Sequence, residues 1–134
     1  MCFDLKTTKE IIGEINQAYP SLKLIIKIAY ISDDTYLRYF VKEIGPLIAA
    51  ITAINTIPAK IINQSNKQAF LGPPSRLQAG ISGAALKHLA IDMVGRLKNH
   101  RDEIRYDFKR IGISGVMSPT DFHDHRQADA HFVM

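Results

Sequence analysis

Residues 22–31 read LKLIIKIAYI, and counting along them by two decides the kind of fold to expect. Leu22, Leu24, Ile26 and Ile28 fall on one face of an extended strand, while Lys23, Ile25, Lys27 and Ala29 fall on the other. Both faces are largely apolar. That is the pattern of a strand covered on both sides, as in a parallel sheet flanked by helices. An unpaired charge buried in such a strand is costly, so Lys27 either reaches water along its apolar stem or meets an anion. The run alone leaves both readings open.

Working outward, the flanks alternate helix and strand signals. Thr7 and Glu10 have capping-box spacing ahead of Ile11, Ile12, Ile15 and Ala18, which predicts a helix over about 7–18, stopped by Tyr19-Pro20. After the lysine strand at 22–29, Ser32-Asp33-Asp34 offers caps for a helix carrying Leu37, Phe40, Val41 and Ile44, closed by Gly45-Pro46. LIAAITAIN at 47–55 is a second two-sided apolar strand. Residues 58–79, with Gly72-Pro73-Pro74, are polar and read as a long loop or excursion. Beyond Gly80-Ile81-Ser82-Gly83, the spacing of Leu86, Leu89, Ala90, Met93, Val94 and Leu97 predicts a helix to about 99. A strand follows at 107–113, then a helix begun by Ser118-Pro119-Thr120-Asp121, then an apolar strand at 130–134. Such alternation implies right-handed crossovers and a parallel sheet, as in doubly wound folds or a TIM barrel.

The bulk properties narrow the function classes. With 134 residues, 46% hydrophobic and 22% charged, the chain has the composition of one globular domain rather than a disordered one. Its 17 Lys and Arg give a net charge of +4, but they are scattered, with no basic stripe and no Trp, so nucleic-acid binding is not expected. A single cysteine, Cys2, excludes an internal disulfide. LIAAITAI at 47–54 is too short to span a bilayer and MCFDLK lacks a signal-peptide pattern, so the expected location is cytoplasmic, with no membrane partner.

The residues with chemical character sit at strand ends: Lys27, Asn55-Thr56 and the turn Gly112-Ile113-Ser114-Gly115. Both TIM barrels and doubly wound sheets carry their sites at that C-terminal edge. A glycine turn ahead of a helix start is a plausible anion cradle, because glycines let backbone N–H groups approach a phosphate. Glycine turns also simply reverse chains. The second such turn, at 80–83, together with the lysine and the Asn-Thr pair, suggests a phosphorylated cofactor with a polar ring. His123 and His125 lie two apart on a helix and diverge, so no metal site is expected; they read as surface histidines, and His88, His100 and His131 have no ligand-spaced partner.

KLIIKI, AINTI, AGISGAALK and IGISGVMSPTDF, in that order and spacing, resemble the C-terminal half of the flavin-dependent dihydroorotate dehydrogenases, from about Phe3 to the end of the chain. The resemblance implies one incomplete domain over 1–134. Its fold would be α/β, half of a TIM barrel, with about four parallel strands alternating with helices and corresponding to the last four strands. It implies FMN as cofactor and dihydroorotate or orotate as the small-molecule partner. By the same resemblance, Lys27 lies beside the flavin pyrimidine edge, where a cation stabilises the negative charge of the reduced ring. Ile54 matches a flavin contact, and Gly83 and Gly115 match glycines whose backbone lies against the flavin and its phosphate. Asn55 and Thr56 match residues that hydrogen-bond the orotate ring, whose donors and acceptors amide and hydroxyl groups suit.

The departures from the family are local as well as global. The first four strands, with the loop bearing the catalytic base, are not in this stretch, so no catalytic residue is assigned and Cys2 does not replace the base. Ser114 stands where the phosphate turn has glycine, Asp129 where a glycine is expected, and His131 where an Asp or Ser is common. Lys109-Arg110 puts two charges into a strand the family keeps apolar, which implies an exposed or poorly formed strand. A four-stranded half barrel would expose its inner face and two edges, so self-association or pairing with a complementary N-terminal half barrel is expected. Three functions follow: a dihydroorotate dehydrogenase segment inactive by itself, a segment of a related pyrimidine-reducing flavoenzyme, or a non-enzymatic interaction module.

Overall fold

The first helix, α1 (Leu5–Ala18), starts one turn earlier than the capping-box reading places it. Asp4 is the cap: its carboxylate accepts from the Lys6 and Thr7 amides, and the Thr7 hydroxyl donates to it at 2.6 Å. A carboxylate at this position satisfies more orphan N–H groups than a Thr one turn later, so Thr7 is drawn into the helix. The computed structural model describes residues 4–69 and 78–134. Within LKLIIKIAYI, β1 spans Ile25–Ile28, shorter than predicted at both ends, and Asp33 caps α2 (Asp34–Ile44) through the Tyr36 amide. Leu37, Phe40, Val41 and Ile44 are all buried, as their 3, 4, 7 spacing requires. A 3-10 turn over Gly45–Leu47 leads to β2 (Ala50–Ala53), in which every residue is buried.

The excursion departs from the expectation of a loop. Its two ends pair as antiparallel strands, β3 (Ile57–Lys60) with β4 (Gln78–Ile81), in which Pro58 faces Gly80, while the described residues between them, 61–69, carry turns and the single Ile62–Gln68 bridge. Proline is tolerated because this two-stranded pair has an outer edge at which no N–H is required. Gly72-Pro73-Pro74 lies outside the described residues. A 3-10 turn at Gly83–Leu86 feeds α3 (Lys87–Ile104), then come β5 (Lys109–Gly112), α4 (Pro119–Gln127) capped by Ser118 as predicted, and β6 (Phe132–Val133).

The main sheet has the order β1-β2-β5-β6, all parallel, so four parallel strands alternating with helices form the α/β unit the sequence predicts. Cα register aligns Lys27 with Thr52, Ile111 and Phe132 across all four strands. The core gathers Ile28, Ile51 and Ala53 from one face with Leu37, Phe40, Ala90, Met93 and Leu97 from the helices. The other face carries Ile25, Lys27, Ala50, Thr52, Lys109 and Ile111, and no described helix packs against it.

Here the two-sided reading of LKLIIKIAYI needs correction. Only the face of Ile26 and Ile28 is covered; Ile25 is 59% exposed and Lys27 is exposed. The second face is apolar as well, yet at Ile25 and Lys27 no described element covers it. Phe132, on the same face at the opposite edge, is also 59% exposed, whereas Ala50, Thr52 and Ile111 between the edges are buried. Among the described residues no helix is long and apolar enough to cross a membrane.

Candidate functional site

The C-terminal ends of the strands are tied together by backbone bonds that extend beyond the ladders. The Asn55 amide donates to the Ile28 carbonyl at 2.8 Å, and the Ile113 amide donates to the Ala53 carbonyl at 2.8 Å. These two bonds place Asn55 beside the end of the Lys27 strand and the 112–115 turn beside the end of β2. Lys27 therefore stands one residue before the strand end, on the open face, and its ammonium makes no hydrogen bond or ion pair with any described residue. Asn55 and Thr56 are exposed at the same edge.

The segment following β1 is held from outside by α3. Arg96 donates to the Ile31 carbonyl at 2.8 Å and to the Asp34 carboxylate at 2.9 Å, and the Tyr30 hydroxyl donates to Asp92 at 2.8 Å. His100, 7% exposed at its side chain, lies 3.0 Å from the same Asp34 carboxylate, and these two partners hold Asp34 below the usual carboxylate range, His100 contributing most. The network fixes where β1 hands over to α2, and so where the strand carrying Lys27 ends.

Thr56 is overlaid by the antiparallel pair. A Cβ on Gly80 would come within 2.7 Å of the Thr56 hydroxyl oxygen, so the close approach of β4 to Thr56 requires glycine. Gly83 has φ +79, and a Cβ there would meet nothing within 4 Å. Its backbone therefore borders open space. Gly115 also has a positive φ, +76, but its missing Cβ faces inward, 2.6 Å from Lys87 Cβ and 2.9 Å from Lys87 Cα. Packing against the start of α3 already demands glycine at 115. Ile54 is fully buried within the core cluster and offers no side-chain surface on the open face.

The 112–115 turn is built by its neighbours. Ser114 adopts φ +83, a conformation suited to glycine, and its hydroxyl donates to the Ile54 carbonyl at 3.1 Å. The hydroxyl thus joins the turn to the end of β2 and offsets part of the strain. His125 is 0% exposed, which overturns its reading as a surface histidine. Its Nε2 lies 3.2 Å from the Ser114 carbonyl, and its Nδ1 would be 2.5 Å from a Cβ on Gly112. The glycine of the strand makes the room that the imidazole fills. His100 is buried too, whereas His123 is exposed. At the entry to α4, Lys87 bridges Asp121 at 2.5 Å and Asp124 at 2.6 Å. Asp121 also accepts from the Met117 amide and the Ser118 hydroxyl, and these bonds, Lys87 first, hold its carboxyl well below the usual range.

The departures at 109–110 and 129–131 form one cluster, and the expected exposed or poorly formed strand is not found. β5 lies between β2 and β6, and Arg110 is 1% exposed. Its guanidinium donates to the Asp129 carbonyl at 3.0 and 3.1 Å and to the Asp129 carboxylate at 2.8 Å. Asp129, in the left-handed region at φ +73, presents both acceptors at once. Lys109 turns to Asp107 at 3.0 Å and stays half-buried on the open face. A buried charge is tolerated here because Asp129, in the turn before β6, is its hydrogen-bonded partner. The signal was available as an Arg and an Asp at two unexpected positions; what the sequence lacked was the register that pairs them. Thr52, in line with Lys27 on the open face, was also missed, because an isolated Thr in an apolar run reads as strand propensity.

Among the described residues, no three His, Cys, Asp or Glu side chains come together as a metal site. No family model matches the chain. A dihydroorotate dehydrogenase of Dictyostelium discoideum is 29% identical over 115 residues, covering 85% of this chain and 31% of that protein. The crystal structure of the Eimeria tenella enzyme DHODH in complex with ferulenol superposes with a TM-score of 0.71 at 15% identity, over 96% of this chain and 38% of the other. The chain resembles the dihydroorotate dehydrogenases, shares the fold of part of their barrel, and spans about a third of the length of these relatives.

Proposed function

We propose that this chain supplies one side of a dihydroorotate dehydrogenase-type flavin site, in which dihydroorotate is oxidised to orotate, and that by itself it is inactive. The observation that carries this reading is the emergence of Lys27 and of Asn55-Thr56 at one edge of adjoining parallel strands, tied by the Asn55 to Ile28 bond. The residues fit FMN on two structural counts. Lys27 is a cation without a described partner on the open face, and the Gly83 backbone borders space that no described side chain fills. Bound there, FMN would accept a hydride from the substrate.

The chain's own groups would bind and orient. Lys27 would balance negative charge on the ring. The Asn55 amide and Thr56 hydroxyl would align the substrate ring. The 112–115 turn, shaped by Ser114 and His125, would face the phosphate, while Ile54 and Gly115 would support these surfaces from within. A base is also required, and no residue of this chain is assigned to it. The open face calls for a complementary half barrel or a second copy to close the site.

The test is quenching of FMN fluorescence by the chain, alone and mixed with a protein supplying the complementary half barrel. Saturable quenching in either supports the reading; its absence in both removes it. Where the mixture binds, turnover of dihydroorotate rather than dihydrouracil separates this enzyme from a pyrimidine-reducing relative. The exposed Ile25 and Phe132 favour a competing reading, an interaction module without chemistry, in which the chain assembles but never quenches FMN.

A further inference from the structure

The segment that carries the last strand is held by an unusual set of contacts. Arg110 holds Asp129 through three hydrogen bonds, and the Arg126 guanidinium donates to the Ala130 carbonyl and, at 2.7 Å, to the His131 carbonyl. His131 then exchanges two bonds with Arg110: its amide donates to the Arg110 carbonyl at 2.8 Å, and its ring Nδ1 lies 3.2 Å from the Arg110 amide. The second bond fixes the state of the ring. A backbone N–H can only donate, so Nδ1 must be the unprotonated nitrogen.

We propose that His131 is an acid-sensitive latch for β6: a proton on Nδ1 ends the bond from the Arg110 amide and places a cation among the cations that surround it, so that the C-terminal strand leaves β5. The groups facing the ring come from every element packed near it. Lys109 and Arg110 stand on β5 and Arg101 on α3, and the turn before β6 contributes Asp129. Two further carboxylates join the cluster: Asp107, ahead of β5, pairs with Lys109 and Arg101, and Asp102, on α3, pairs with Arg101. The Asp129 carboxylate is engaged by the Arg110 guanidinium. The three cations nearest the ring act against a proton on it, and each carboxylate of the cluster is already engaged by one of them. In agreement, burial first, and then Arg110, Lys109 and Arg101, push the His131 ring below the ordinary histidine value, with Asp129 acting in the opposite direction.

The sign follows directly. A histidine whose folded value is lowered leaves the docked strand at full stability above the ordinary value near 6.5. Stability of docking is then lost as pH falls from there toward the lowered value, because only the released strand takes up the proton. β6 contains two residues and pairs with one neighbour, so its release need not unfold the rest of the sheet.

Amide hydrogen exchange tests this through His131 and Met134, whose N–H groups donate to Arg110 and Gly112 of β5. Exchange is followed from pH 7.5 to 5, corrected for intrinsic rates and kept above the ordinary carboxylate range. Protection at these two amides should fall about tenfold for each unit by which the ring is shifted, while the β1 and β2 amides hold theirs. His131→Asn, whose side-chain carbonyl can accept from Arg110 without titrating, should keep its protection throughout. Unchanged wild-type protection at pH 5, or the same loss in H131N, overturns the latch. Should H131N fail to fold, the ring carbon resonances of His131 in the wild-type chain decide: a midpoint below the ordinary value that coincides with the loss of protection supports it, and an ordinary midpoint overturns it.

Discussion

At the residue scale, two charged side chains behave in opposite ways. Lys27 sits exposed on the open face with no described partner, so Lys27→Ala removes little from the fold: a change within about 0.5 kcal/mol is expected by thermal unfolding. The same substitution should weaken FMN binding by about tenfold or more, since a charge-assisted contact is worth roughly 1.5–3 kcal/mol. Equal affinity for both proteins would remove Lys27 from the site. Arg110 is the reverse case, fully buried and dependent on Asp129. Asp129→Gly relieves a positive φ worth about 1 kcal/mol but takes the carboxylate from a buried guanidinium, a loss of roughly 2–3 kcal/mol. The net expectation is a melting temperature lower by about 3–8 °C. A D129G protein that melts at or above the wild-type temperature would show that strain at 129 outweighs the pair.

At the element scale, the two glycines that the family resemblance assigns together serve different purposes. Gly115→Ala meets both an unfavourable φ and the Cβ and backbone of Lys87, so it should destabilise by more than about 2 kcal/mol. Gly83→Ala meets the φ alone and should cost about 1 kcal/mol. Comparable losses in denaturant unfolding would contradict the packing argument. Most elements were legible because their signals are local: Ser118 with Pro119 capping α4, or Leu37, Phe40, Val41 and Ile44 marking one face of α2. What was not legible depends on contacts distant in sequence. The β3–β4 pair rests on Gly80 passing over Thr56, the burial of His125 on the absence of a side chain at Gly112, and the Arg110–Asp129 pair on strand register. The Lys27 strand was misread as covered on both sides because an apolar face says that something covers it, without saying that the cover lies in the same chain.

At the scale of the whole molecule, four parallel strands with the described helices on one face leave the other face and two edges, marked by Ile25 at one and Phe132 at the other, without a described partner. Association should therefore be concentration-dependent by light scattering, and Ile25→Lys together with Phe132→Lys should shift it toward the monomer. A monomer at all concentrations would mean that the open face is stable in water. On the proposed reading, this face is where a flavin and its substrate meet. Mapping FMN onto the isotopically labelled chain by amide chemical shifts, with the complementary half barrel present, tests it most directly. Perturbations are expected at Lys27, Asn55, Thr56, Gly83 and the 112–115 turn; shifts confined to the helix-covered face, or none at saturating FMN, would rule out a flavin site on the open face.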